Sequence, residues 1–249
     1  MSHAAPPSPV FTPRSSWWVP PRAEQPELLD QGLGTPQDVA SNLAEMAWAN
    51  RTLGGLSELT RHVYPHLAAS RGPITVLDLG TGAASVPAAI AQWARAEGIP
   101  VRIVALDRAA RNLTIARVQV VTLPEISLVQ ADAVCLPLAP GSVDFVISSQ
   151  FLHHLAPEQL INVLRTAYAC ARRGVVMSDL VRGWLPLIGF KLIQPFAARN
   201  FLSRHDGALS IRRAYTPGEL RQLADAAGLH HAKITTNYLW RMTLVAEKD

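Results

Sequence analysis

The chain has 249 residues, of which 49% are hydrophobic, enough for one large domain with a substantial core. A net charge of +4 comes with only two cysteines, Cys135 and Cys170. They are too few for a disulfide framework and lack metal-ligand spacing, so a cytoplasmic, reducing setting is expected. No stretch has the unbroken apolar length of a membrane span, the longest candidate (Trp184 to Ile193) being interrupted by Pro186, Gly189 and Lys191.

Prolines at 6, 7, 9, 13, 20, 21 and 26 forbid regular helix over 1–34, which reads as a loosely ordered arm. Trp17 and Trp18 interrupt that composition and predict packing of the arm onto the body. Thr35-Pro36-Gln37-Asp38 is a helix start, with a Thr N-cap, Pro in the first turn and an early acid. Val39, Leu43, Met46, Ala47 and Asn50 then follow at spacings of three and four. Gly54-Gly55 ends that helix and a second runs from about 56 to 69, giving a helical N-terminal cap over 35–70.

From residue 74 short apolar runs alternate with helical stretches. Strands are predicted at 74–79, 101–106, 126–130, 143–148 and 174–179, and helices at about 84–97, 109–121, 157–172 and 216–227. Continuous Val/Ile/Leu strands separated by helices predict a mostly parallel sheet covered on both faces. Thr216 to Glu219 is a capping box, Gly228 closes its helix, and 232–238 with 240–246 read as a terminal antiparallel hairpin. The main domain is then 71–249, with an insertion at about 180–215.

Chemistry-bearing residues cluster where strands end. Asp78 leads into Gly80-Thr81-Gly82, a turn whose glycines let backbone approach a ligand closely. Asp107 ends the second strand, where a carboxylate can accept two ribose hydroxyls or cap the next helix. Arg108 follows it, Asp132 and Ala133 follow the third strand, and Ser149 ends the fourth. His153 and His154 come next, and Asp179 ends the fifth strand. The insertion holds an apolar run from Trp184 and the cluster Arg204-His205-Asp206-Gly207, then Arg212 and Arg213.

This ordered series resembles the class I S-adenosylmethionine (SAM) dependent methyltransferases. It is similar to menaquinone/ubiquinone-type and small natural-product O-methyltransferases, and covers 70–180 best. The resemblance implies a Rossmann-like seven-stranded sheet and SAM as cofactor, with S-adenosylhomocysteine as product. It further implies that Asp78, Gly80, Thr81 and Gly82 face the amino-acid part. Asp107 then faces the ribose, Arg108, Asp132 and Ala133 the adenine, and Ser149 the methionine.

His153, His154, Asp179 and His205 are the candidate catalytic residues, because imidazole near neutrality suits proton transfer and a carboxylate can orient it. His153 or His154 can equally hold backbone, with His154 the more structural of the two, and His205-Asp206-Gly207 can equally be a turn. Trp184, Arg212 and Arg213 are candidate substrate residues. No metal is expected.

Seven Lys/Arg fall between 182 and 221 against only Asp206 and Glu219. Such a stretch is a solvated helical face or a contact with an anionic membrane surface. Aromatics are not interleaved with it, so no nucleic-acid partner is expected. The sequence leaves the oligomeric state open, a homodimer included.

The reading is methyl transfer to a small, largely apolar acceptor, at a hydroxyl oxygen of a natural product or secondary metabolite. Carbon methylation of a quinone-type acceptor and a noncatalytic SAM-binding protein are the alternatives. The third glycine and Tyr-x-x-x-Lys pair of nicotinamide enzymes are missing. So is the Pro-Pro-Tyr element of amino-group methyltransferases, where Ser148-Ser149-Gln150-Phe151 stands.

Overall fold

The computed structural model describes residues 17, 19–70, 72–136, 138–237 and 239–248. Two helices, α1 (Pro36–Thr52) and α2 (Gly55–Ala68), precede the sheet. Then follow β1 (Ile74–Leu79), α3 (Ser85–Ala96), β2 (Val101–Asp107), α4 (Ala110–Gln119), β3 (Ile126–Gln130) and β4 (Val143–Ser149). The second half holds α5 (Pro157–Cys170), β5 (Ala171–Leu180), α6 (Trp184–Ala197), α7 (Phe201–Arg213), α8 (Pro217–Ala226), β6 (Lys233–Thr236) and β7 (Arg241–Glu247).

The seven strands lie in the order β3-β2-β1-β4-β5-β7-β6. β1 to β5 pair in parallel, and β7 runs antiparallel to both β5 and β6. This is the mostly parallel, Rossmann-like sheet that the strand pattern predicts. Period-two alternation sends β1 residues to two cores. Ile74 and Val76 join α2 and α3 on one face, and Leu77 and Leu79 join α5 and α8 on the other. Each such full burial stabilises by about 1.5–3 kcal/mol.

The predicted caps are in place. Thr35 accepts from the Asp38 amide while Asp38 returns to Thr35, and Thr216 and Glu219 do the same. Five differences stand out. β5 begins at Ala171, three residues early, and the terminal turn spans 237–240 (residue 238 lies outside the described set).

α2 is part of the sheet's covering layer, because Leu59, Val63 and Leu67 are fully buried against it. The insertion, for which no helix is predicted, forms α6 and α7, with Pro195 inside the former. The arm from residue 19 onward is packed, with Ala23 and Glu27 buried. Trp18 and the prolines before residue 17 lie outside the described residues, and Trp17 is exposed.

Candidate active site

In a doubly wound sheet, ligands sit outside the carboxyl ends of strands where the winding direction reverses. Here that point lies between β1 and β4. The chain leaves β1 through Gly80, at φ +70°, where an added Cβ would come within 2.5 Å of the Phe151 ring. Only glycine suits a backbone both left-handed and overlaid by an aromatic ring. On the β4 side, Gln150 also has positive φ, at 55°, a conformation uncommon outside glycine that holds the chain over the reversal.

A cleft of about 480 Å³ opens there, lined by Gly80, Gly82, Asp107, Arg108, Asp132, Ala133 and, from the arm, Leu29 and Asp30. A side cavity of about 60 Å³ reaches Asp78, Thr81 and Ser149. Asp107 accepts the Gly82 and Ala109 amides, both at 2.8 Å, so it already ties the glycine turn to the start of α4. Asp132 caps its own short turn through the Val134 amide at 2.9 Å. Arg108 lies 3.9 Å from Asp30, and the Ser149 hydroxyl donates to Asn50 at 3.3 Å. Asp78 is buried and its pKa is raised to about 7, by burial first and by Asp107 second. The buried Thr81 side chain bonds Asp78 and opposes that rise.

Beyond the glycine turn lies a third cavity of about 120 Å³. Its walls are mainly apolar, with Leu53 from α1's end and Phe190, Ile193 and Ala197 from α6. Its titratable members are Glu27, Glu45, His153, Asp206 and Arg241. Met46 and Gln150 line all three cavities, which therefore adjoin one another.

His153 is fully enclosed. Its Nδ1 lies 2.7 Å from Asp179 Oδ1, its amide donates to Asp179 Oδ2 at 2.8 Å, and its Nε2 lies 3.4 Å from Glu27. Burial pulls its pKa down, but Asp179 and then Glu27 outweigh that and raise it to about 10. The ring is therefore an imidazolium at neutral pH, with both nitrogens protonated, and holds the site together instead of accepting a proton. Burial pushes Glu27 up, yet His154, His153 and the Ser210 hydroxyl (2.7 Å) hold its carboxyl below the usual range. Ser210 donates to Glu27 Oε1, while Oε2 lies 4.0 Å from His154 Nε2.

His154 stands in the cleft with Nδ1 2.7 Å from Asp30, the reverse of the more structural part expected for it. Glu27, His153 and His154 offer metal-ligand atoms within 4.8 Å of one another.

The structure thus brings together Asp78, Gly80, Thr81, Gly82, Asp107, Arg108, Asp132, Ala133, Ser149, His153, His154 and Asp179. It does not bring the insertion's candidates with them. His205 lies inside α7 instead of a turn, half exposed, bonded at 2.9 Å to Asp206, and lines none of the cavities. Arg213 is buried and donates to the carbonyls of Gln25, His153 and His154, so it fastens the arm and the histidine turn. Arg212 is half-buried and its carbonyl accepts from Ala23. Trp184 faces outward, its indole N–H donating to the Trp17 carbonyl at 3.2 Å. Burial of Arg182 beside Glu219, together with that of Arg213, also corrects the reading of the basic stretch as a uniformly solvated face.

Sequence reasoning missed Glu27, Asp30 and Arg241. The first two sit in a proline-rich arm, and only their spacing of three hinted at a turn with two acids on one side. Arg241 offered a clearer signal, a cation opening an otherwise apolar strand. It is 2% exposed and its Nη1 has no partner among the described residues. Burial lowers its pKa to about 10.

Residues 76–174 match the family model described as a methyltransferase domain. No curated protein matches the chain in sequence. Among solved structures, a SAM-dependent methyltransferase from Aquifex aeolicus shares 15% identity at a TM-score of 0.58, over 86% of this chain and 99% of that one. One from Methanococcus maripaludis shares 15% at 0.56, over 87% and 96%. PigF with SAH shares 19% at 0.63, over 90% of this chain but 63% of PigF. These likenesses establish the fold. Residues 76–174 therefore carry a methyltransferase domain within that fold.

Proposed function

We propose that the protein transfers the methyl group of SAM to a hydroxyl oxygen of a small, largely apolar acceptor of natural-product type. The observation that carries this reading is the junction at Met46 and Gln150. It lies between a glycine-turned cleft with strand-end acids and a mainly apolar pocket in whose wall Glu27 is held ionised. Asp78, Thr81 and Ser149 would hold the amino-acid part of the cofactor, Asp107 the ribose, and Asp132 with the Ala133 amide the adenine. The side cavity bordered by Asp78, Thr81 and Gly82 fits such a ligand.

When bound, SAM supplies an activated methyl on a sulfonium. The chain's own work is alignment and proton removal. Glu27 Oε2 takes the hydroxyl proton as the new carbon–oxygen bond forms. A low-pKa carboxylate suffices because the attacking oxygen becomes strongly acidic during attack. His153 and Asp179 are positioning residues that fix Glu27. Arg241 donates to an oxygen on the acceptor, giving its buried guanidinium the partner that it lacks. Two free cysteines suit a reducing, cytoplasmic setting.

The test is transfer from SAM to a series of alkylphenols, with the product read by mass and proton spectra. A methyl ether forming faster as the alkyl chain lengthens is expected. Methylation at carbon, or equal rates along the series, overturns the reading.

A further inference from the structure

α6 has two faces with different employment. Phe190, Ile193 and Ala197 form the roof of the acceptor pocket. Opposite them Trp184, Leu185, Ile188, Leu192 and Phe196 are exposed, Leu192 at 73% and Phe196 at 81%. Positions 184, 188, 192 and 196 are four apart, so they form one ridge along the helix. Only Pro186 on α6 is buried. The helix is nonetheless firmly seated, since the Trp240 ring lies over Gly189 and the Phe190 ring over Gly207, each too close for a Cβ.

A contiguous apolar ridge of this size marks a contact surface. Its surroundings identify the partner. From 183 to 205 the sequence has no acid, while Lys191, Arg199 and Arg204 are exposed and form no ion pair among the described residues. Long cationic side chains beside an apolar ridge match a bilayer interface with anionic headgroups, where stems lie on apolar surface and charges meet phosphate. At the N-terminal end of the ridge Trp184 bonds the backbone of Trp17, and both tryptophans are exposed, the residue type that favours this boundary.

We propose that α6 docks on a membrane surface containing anionic lipids, and that the acceptor is a lipid-like amphiphile passing from that bilayer into the pocket under the same helix. This rests on the apolar-acceptor reading above and narrows it. With no membrane-crossing helix among the described residues, contact is peripheral.

Co-sedimentation of the full chain with vesicles tests it, using phosphatidylcholine alone and phosphatidylcholine mixed with phosphatidylglycerol. Binding to the mixed vesicles is expected, falling as salt rises. Leu192→Glu with Phe196→Glu should weaken it about tenfold or more while leaving SAH affinity intact. Lys191→Gln with Arg199→Gln should remove the preference for the anionic vesicles, and serves if the first variant is unstable. A wild-type chain left in the supernatant with both vesicles overturns the proposal. So does a wild-type dimer that Leu192→Glu with Phe196→Glu converts to monomer without affecting sedimentation.

Transfer to a short, water-soluble alkylphenol, measured alongside, separates the two readings. Retained ether formation without vesicle binding defeats only the membrane site, whereas vesicle binding without ether formation defeats only the acceptor class.

Discussion

The cofactor cleft and the acceptor pocket share a wall but are built on different plans. The cleft is made at strand ends, largely by backbone: two glycines, an amide-bonded Asp107, and turns that follow β1 to β4 in order. The acceptor pocket is made by side chains from segments far apart in the chain, with Glu27 from the arm, Leu53 after α1, His153 after β4 and Phe190 on α6. A backbone-built site is fixed once the sheet forms. A side-chain-built one depends on buried charges holding distant pieces together, and the two should therefore fail in different ways.

Removing a charge from the second region is expected to have the largest effect. Asp179→Asn leaves the buried His153 imidazolium with only Glu27, and should lower stability by about 3 kcal/mol in chemical denaturation. An unchanged midpoint would mean that the pair does not hold the pocket. Glu27→Gln should reduce kcat about 100-fold with SAH affinity unchanged by calorimetry. If SAH affinity falls instead, Glu27 belongs to the cleft and the comparison breaks.

Acid and alkali should divide the two regions next. The His153 pKa is raised, from its unfolded value near 6.5 to about 10. Its stabilising contribution is thus complete below about pH 6.5 and lost progressively as pH rises toward 10. Melting temperature should decline over that window, and His153→Gln should flatten the decline. On the cofactor side Asp78, with its pKa near 7, is protonated in mild acid. SAH affinity should therefore drop below pH 7, and Asp78→Asn should remove that dependence. The smallest effect is expected from chelation, which should leave turnover within about twofold. Loss on chelation, restored by one divalent metal, would make Glu27, His153 and His154 ligands.

The same contrast explains what could be read from the sequence. Val76 to Leu79, Ile103 to Leu106 and Phe145 to Ile147 declare buried strands, and Gly80 and Asp107 stand at their ends. The cleft follows from order along the chain because each strand end is local. The pocket does not. Glu27 meets His153 across 126 positions of sequence, and nothing near Glu27 predicts burial. α6 was hidden because Pro186, Gly189 and Lys191 read as interruptions of an apolar run, until packing under the Trp240 ring accounts for Gly189. The histidine pair was visible as a pair, but the division of labour within it was not. Which ring lies between two carboxylates depends on where the arm returns.

That arm has a thermodynamic corollary. Asp206 accepts the Leu28 and Leu29 amides, and Arg213 grips the Gln25 carbonyl, so α7 carries residues 25 to 29 as a strap. Leu29 borders the space for one reactant, and Glu27, two residues earlier, borders the space for the other. Donor and acceptor are therefore linked through a common tether. To the extent that either ligand orders the strap, it must improve the affinity of the other by the same factor.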